Sequence, residues 1–233
     1  MNLDALDALG GFFALRTDPP PSGRTVPLAQ VYAGGDVQLH RRIAAVGERL
    51  GHPEPRVAAS LAQLSLASRL WSVGLGAAVL HGTVPDLAPD RLHWDPDGQA
   101  PDDLWLPAPR PRPVPSDLPR LLADSILADH LLPLETAVRR VCPVAAGLLR
   151  GNAASALAGA LRQLGQWCLR HGREDRAHRA RHLTAALFHH PALRGTGSLN
   201  GTAFRRTSCC LYYRIPSGGV CGDCVFPRPP GGR

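Results

Sequence analysis

Lysine is absent from this 233-residue chain, and its 26 basic side chains, all arginine, face only 19 Asp and Glu residues. A GC-rich coding bias accounts for the missing lysine, because Ala, Gly and Pro are abundant as well. A positively charged start is also lacking: Met1 to Asp7 carries two aspartates and no basic group, which argues against a secretory signal. No run of about 18 apolar residues occurs. The strongest apolar stretch, Val73 to Leu80, is short and holds Gly74 and Gly76, so no transmembrane segment is expected. The expectation is a cytoplasmic protein whose thiols stay reduced and free to bind metal. Nucleotide fingerprints are missing too. Gly195-Thr196-Gly197 departs from G-x-G-x-x-G and lacks the strand-turn-helix context, so no tightly bound NAD, flavin or ATP is expected. His81, His93, His189 and His190 match no H-E-x-x-H spacing and read as ordinary polar residues.

An apolar content of 44% is enough to bury a substantial core, in one large domain or a domain with a small appendage. The 24 Gly and 23 Pro cluster at 18–23, 107–115 and 227–232, as linkers, loops and a tail. Charge divides unevenly: residues 1–138 hold 11 Arg against 16 Asp and Glu, residues 139–233 hold 15 against 3. A basic half suits nucleic acid, an anionic surface or an anionic partner. No zinc-finger or RNP-type pattern accompanies these arginines, and several, Arg170, Arg173, Arg176, Arg179 and Arg181, are scattered along a helical stretch. Nucleic acid is therefore not expected; a solvated helix face or a docking surface is.

Apolar spacing predicts an opening helix through Leu3, Leu6, Leu9 and Phe13, then a helix capped by Asp36 and ending at Gly51. A longer helix follows over Glu54 to Leu80, its small residues Ala58, Ala59, Ala67, Gly74 and Gly76 permitting close packing. Leu92 to Trp94 and Leu104 to Leu106, separated by Asp-Pro-Asp-Gly, predict a small hairpin. Trp94 and Trp105 on it read as core residues or as a ligand contact. Pro107 to Pro115 is expected to be an extended spacer. Ser116 with Asp117 caps a predicted helix through Asp129, and another covers Leu134 to Val141. The longest helix is expected through Leu149 to Cys168, closed by Gly172, then one over Glu174 to His189, with weak strands at Ala203 to Ser208 and Tyr212 to Ile215. Cys168 lies on a buried stripe, and it and Cys142 read as structural.

The remaining cysteines crowd the C-terminus: Cys209 and Cys210 are adjacent, ten residues separate Cys210 from Cys221, and two separate Cys221 from Cys224. A C-x-x-C turn brings two thiolates to one metal, with Gly222 relieving the tight backbone. The vicinal pair returns through Pro216, Ser217, Gly218 and Gly219. Four thiolates suit zinc or an iron–sulfur cluster. Adjacent side chains in extended backbone diverge, which a two-iron cluster tolerates more easily than a single zinc ion. Disulfides are disfavoured in a reducing compartment. A thioredoxin-like role for Cys221 and Cys224 lacks the strand and helix it needs.

The C-C-x10-C-x2-C arrangement, in the run Arg205-Arg206-Thr207-Ser208-Cys209-Cys210-Leu211-Tyr212-Tyr213-Arg214, resembles the C-terminal 2Fe-2S motif of the FhuF-like ferric-siderophore reductases. Residues 56–61 (RVAASL), 67–72 (ASRLWS), 151–156 (GNAASA) and 193–197 (LRGTG) extend the resemblance over roughly 55–226. It implies an α+β, helix-dominated single domain related to the C-terminal region of IucA/IucC-type siderophore synthetases. The expected organisation is a helical body over 1–200, with a small antiparallel β element near 81–106, and a cysteine-rich cluster-binding segment over 201–233. Carried over, the 2Fe-2S ligands are Cys209, Cys210, Cys221 and Cys224. The implied activity is one-electron reduction of a ferric siderophore that releases Fe(II). An external donor, acidic and ferredoxin- or flavodoxin-like, would suit the basic half. Arg205, Arg206 and Arg214 either stabilise the cluster's negative charge or solvate a terminal loop, and the Gly218, Gly219 and Gly222 amides are candidate donors to sulfur. A zinc-stabilised siderophore-binding module and a 2Fe-2S redox or iron sensor are the competing readings.

Overall fold

The fold comes from a computed structural model, which describes residues 3–51, 54–112, 117–216 and 218–230. In chain order the elements are α1 (Asp4–Asp7), β1 (Val26–Pro27), α2 (Leu28–Ala33), α3 (Asp36–Arg49), α4 (Pro55–His81), β2 (His93–Trp94), β3 (Leu104–Trp105), α5 (Leu118–Leu122), a π-helical stretch Ala123–Leu131, α6 (Leu132–Val141), α7 (Ala146–Arg170), α8 (Glu174–Phe188), β4 (Gly197–Asn200) and β5 (Ala203–Arg206). The chain is helix-dominated, 53% helical, with small antiparallel pairings and a C-terminal cysteine cluster.

The centre is α4. Its apolar residues are distributed around the whole circumference, so it is buried along almost its entire length by α1, α3, α5, α7 and α8. The expected close packing at its small residues is present. A Cβ on Gly76 would lie 2.8 Å from Phe13, and one on Gly74 3.0 Å from Ile126. Trp71, Leu70, Leu75, Leu157, Leu161 and Leu164 join one continuous core with Trp94 of the hairpin, which places Trp94 and Trp105 inside the protein. Cys142 and Cys168 are buried as expected.

One charged pair lies wholly inside. Arg69, fully buried on α4, donates from Nε to Asp103 Oδ1 at 2.7 Å and from its other nitrogens to the carbonyls of Gly11 (2.8 Å), Phe12, Ala14 (2.7 Å) and Pro101 (3.3 Å). Every nitrogen of this guanidinium is satisfied, which makes its burial tolerable. It clamps both the N-terminal segment and the hairpin to α4.

Several elements differ from the sequence expectation. β1 adds a third strand beside β2 (Val26 opposite Trp94), and α2 follows it directly; neither stretch has enough periodic residues to signal itself. Asp36 is the first residue of α3 and not its cap, its carboxylate turned to Arg140 at 2.7 Å. The longest helix is α4, 27 residues against 25 in α7. The two helices expected around 117–141 are continuous. Asp117 caps α5 by accepting from the Arg120 amide at 3.0 Å, and the π-helical turns carry the chain into α6. A proline in a continuing helix lacks an amide and crowds the carbonyl four residues back; the widened turns immediately precede Pro133. Ser116 and residues 113–115 of the expected spacer lie outside the described residues. The rest of that spacer is anchored, with the Arg112 amide on the Val84 carbonyl (2.9 Å) and the Asp86 amide on the Arg110 carbonyl (2.8 Å). Among the described residues, no helix is long and apolar enough to cross a membrane.

Candidate metal centre

β5 leads directly to the cysteines. It pairs with β4 in antiparallel register, Gly197 opposite Arg206, and Phe204 packs on Phe188 of α8 with ring centroids 5.1 Å apart. Gly195-Thr196-Gly197 forms the turn into this pair, and the Thr196 carbonyl receives the Thr207 amide at 2.9 Å. Tyr212–Arg214, expected as a strand, is a single 3-10 turn. The reason lies one residue earlier: Leu211 takes the left-handed conformation (φ 69°), and its amide turns back to Cys209 Sγ at 3.2 Å.

The vicinal thiols differ in burial and partner. Cys210 is buried and hydrogen-bonds with Cys221, while Cys209 is half-buried and lies within electrostatic range of Cys224 and Cys221. The Cys221 contact, opposed by burial and helped by the Tyr212 amide and Arg206, lowers Cys210 to about 7. Cys221 moves the other way, because its proton is the one held between the two sulfurs, and burial reinforces this. Burial raises Cys209, with the Leu211 amide and Arg206 opposing. The Cys224 Sγ accepts from the Phe226 amide at 3.4 Å. Among the described residues no three His, Cys, Asp or Glu side chains converge tightly enough to hold a metal ion as they stand. The four thiols share one segment without closing around a common point.

Polar contacts from α4 and α7 hold this segment. Ser60 Oγ donates to the Cys210 carbonyl at 2.8 Å, and Asn152 Nδ2 binds Ser60 through its carbonyl (2.9 Å) and hydroxyl (3.1 Å). Arg162 Nη1 grips Asp223, one of the two residues between Cys221 and Cys224, at 2.8 Å. The Asp223 carbonyl accepts the Arg206 amide at 3.1 Å. Gly151 makes room: a Cβ there would overlap Ser208 Oγ and sit 2.9 Å from Arg206 Nη2.

The three arginines flanking the cysteines behave differently. Arg205 is exposed and reaches the Val225 carbonyl at 3.1 Å, and Arg214 is paired with Glu54. Arg206 alone is buried, 2% exposed. Its Nη2 bonds the Leu148 carbonyl at 3.2 Å, while Nε and Nη1 are buried without a partner. Its charge acts on Cys209, Cys210 and Cys221 together. A buried guanidinium with two unsatisfied nitrogens is costly unless an anion faces it, and four thiolates around iron supply that charge. The donor set and this cation therefore fit an anionic thiolate-bound cluster. Of the three expected glycine amides, that of Gly218 is taken by the Ile215 carbonyl at 2.8 Å. Ser217 lies outside the described residues.

Residues 206–226 match the family description "FhuF 2Fe-2S C-terminal domain". The match covers all four cysteines together with Arg206 and Asp223. No curated protein matches the chain. The segment is thus similar to that 2Fe-2S domain, and in and around it Ser60, Gly151, Asn152, Arg162 and Asp223 make contacts that sequence reasoning did not single out. Ser60, Gly151 and Asn152 were visible only as members of the stretches RVAASL and GNAASA, where nothing in the residue types announces a contact with the cysteines.

Proposed function

We propose that the chain is a ferric-siderophore reductase that holds a 2Fe-2S cluster through Cys209, Cys210, Cys221 and Cys224. The observation that carries this reading is Arg206, a buried cation with two free nitrogens whose charge acts on three of the four thiols, inside the segment that resembles the 2Fe-2S domain. When bound, such a cluster supplies a store for one electron. The chain's own part is to fix potential, orientation and access. Arg206 offsets negative charge at the sulfurs and so favours the reduced state. Asp223, held by Arg162, orients the Cys221–Cys224 turn, and Ser60 with Asn152 fixes the vicinal pair through the Cys210 carbonyl.

The net step is transfer of one electron from an external donor to Fe(III) in the chelate. No covalent bond to the protein forms, and the chelating oxygens bind the resulting Fe(II) more weakly. An acidic donor suits the 15 arginines that face 3 acids over residues 139–233. The test is a single turnover under argon. Dithionite-reduced, desalted protein is mixed with ferric aerobactin, an anionic siderophore complex, and a ferrous-specific chelator, and about one Fe(II) per chain is expected. Fe(II) release no greater than that of Cys221→Ser would sink the reading.

A further inference from the structure

Two hollows meet at Phe12, which is 40% exposed although aromatic. The first, about 270 Å³, is lined by Arg42, Arg49, Leu61 and Ser65; the second, about 180 Å³, by Ser68, Ser72, Gly159 and Gln163. Together they form a trough along α4. Phe12 is held as its wall because Arg69 binds the Phe12 carbonyl from below.

Both hollows adjoin residues that touch or hold the cysteine segment. Leu50, on the first, precedes Gly51, where a Cβ would lie 3.9 Å from Pro216 in the loop joining Cys210 to Cys221. Gly159, on the second, stands over Arg162, whose Nη2 is 3.9 Å from a Cβ built there and whose guanidinium grips Asp223. Leu61 follows Ser60, the residue bonded to Cys210.

The first hollow is cationic. Each aspartate nearby is engaged by another arginine: Asp95 by Arg24, Asp97 by Arg41 and Asp103 by Arg69. Arg42 and Arg49 contact only neutral oxygens, Arg42 those of Gly98 and Ser65 and Arg49 the Asp97 carbonyl. Arg42 is 5% exposed and its Nε is unpartnered. A buried guanidinium with one nitrogen unpartnered, lining a hollow together with Arg49 and Ser65, suits oxygen acceptors carrying negative charge. The larger cleft of about 530 Å³ between α5 and α8 lacks this character, since Asp117 and Asp124 line it with Arg120.

We infer that the trough is the substrate site and that it takes an anionic, oxygen-rich ferric chelate, with Arg42 and Arg49 binding its periphery and Phe12 covering one face. This rests on the reductase reading for its purpose, but binding alone tests it. The probes are the gallium(III) complexes of enterobactin, which is anionic, and of desferrioxamine B, which is not; gallium is not reduced, so no turnover intervenes. Titration followed by tryptophan fluorescence is expected to show the anionic complex binding more tightly. Arg49→Gln, at an exposed position, should weaken it by roughly tenfold, the loss of one charge-assisted contact, with little effect on the other complex. Ser68→Trp, which fills the second hollow, should abolish binding of both while leaving the far-UV spectrum and iron content unchanged. If neither substitution alters the affinity, if Arg120→Gln in the α5–α8 cleft abolishes binding instead, or if the wild-type protein binds no gallium complex, the trough is not the site. Binding that maps to the trough in protein that never acquires a cluster would uphold it and remove the reductase reading alone.

Discussion

The helical body and the cysteine segment are built by opposite rules. At the centre of the body buried polar groups are complete: Arg69 has a partner for every nitrogen, and His130, fully buried, sits between the Tyr32 hydroxyl at Nδ1 (2.9 Å) and the Leu87 carbonyl at Nε2 (2.7 Å), whereas Arg42, beside the first hollow, leaves one nitrogen open. In the segment, charge is buried while incomplete, with two nitrogens of Arg206 free and its charge acting on Cys209, Cys210 and Cys221. The centre of the body is self-sufficient; the segment leaves Arg206 in want of an anion. Its order rests on a few polar contacts to α4 and α7, and metal binding would complete it, in the way small metal-stabilised modules gain their folding energy from the metal.

The strongest break of this contrast is in the thiols. Cys221→Ser should lose all bound iron while the far-UV circular dichroism stays that of the wild type, and Cys168→Ala should keep its iron, as metal analysis of the purified variants would reveal. Next is the buried pair: Arg69→Ala leaves Asp103 charged and alone, so chemical denaturation should show a loss of about 3–5 kcal/mol, with unfolding of the body and not only of the segment.

Acid separates the regions further. Burial lowers His130 to about 4, with its bond to Leu87 opposing. Its folded value lies below the unfolded one, about 6.5, so the unfolded chain binds the extra proton between these values. Stability from this group is complete above the unfolded value and is lost as pH falls toward 4, by up to roughly 3 kcal/mol. His130→Gln should flatten this part of a denaturation-against-pH profile; an unchanged slope would assign it elsewhere.

Smaller effects belong to the segment. Arg206→Gln removes a cation from beside the sulfurs and should lower the reduction potential by roughly 60 mV, the one-electron equivalent of a tenfold change, with no shift in the hydrogen exchange of α4. Gly151→Ala should act in opposite senses on the two regions. Helix propensity favours it by up to about 1 kcal/mol, yet the added methyl meets Ser208 and Arg206, so exchange should quicken at residues 206–211 and slow or stay constant in α7.

Periodicity made the body legible where helices are long: α4, α7 and α8 lie within a few residues of their expected bounds because apolar stripes and terminal Gly or Pro mark them. It missed α2 and β1, too short for a repeat, and the π-helical junction, where continuity depends on packing and not on capping residues. The four cysteines were legible as a candidate ligand set, since their spacing is local. Its support was not, because Ser60, Asn152 and Arg162 meet the cysteines only through the crossing of α4, α7 and the C-terminal segment. Among the three nearby arginines nothing local distinguished Arg206; burial does.

The central claim is tested most directly by iron, acid-labile sulfide and visible absorption of the anaerobically purified protein, with and without dithionite. The account predicts about two irons and two sulfides per chain and a reddish spectrum bleached by reductant. A colourless protein with about one zinc per chain after attempted cluster reconstitution would contradict it.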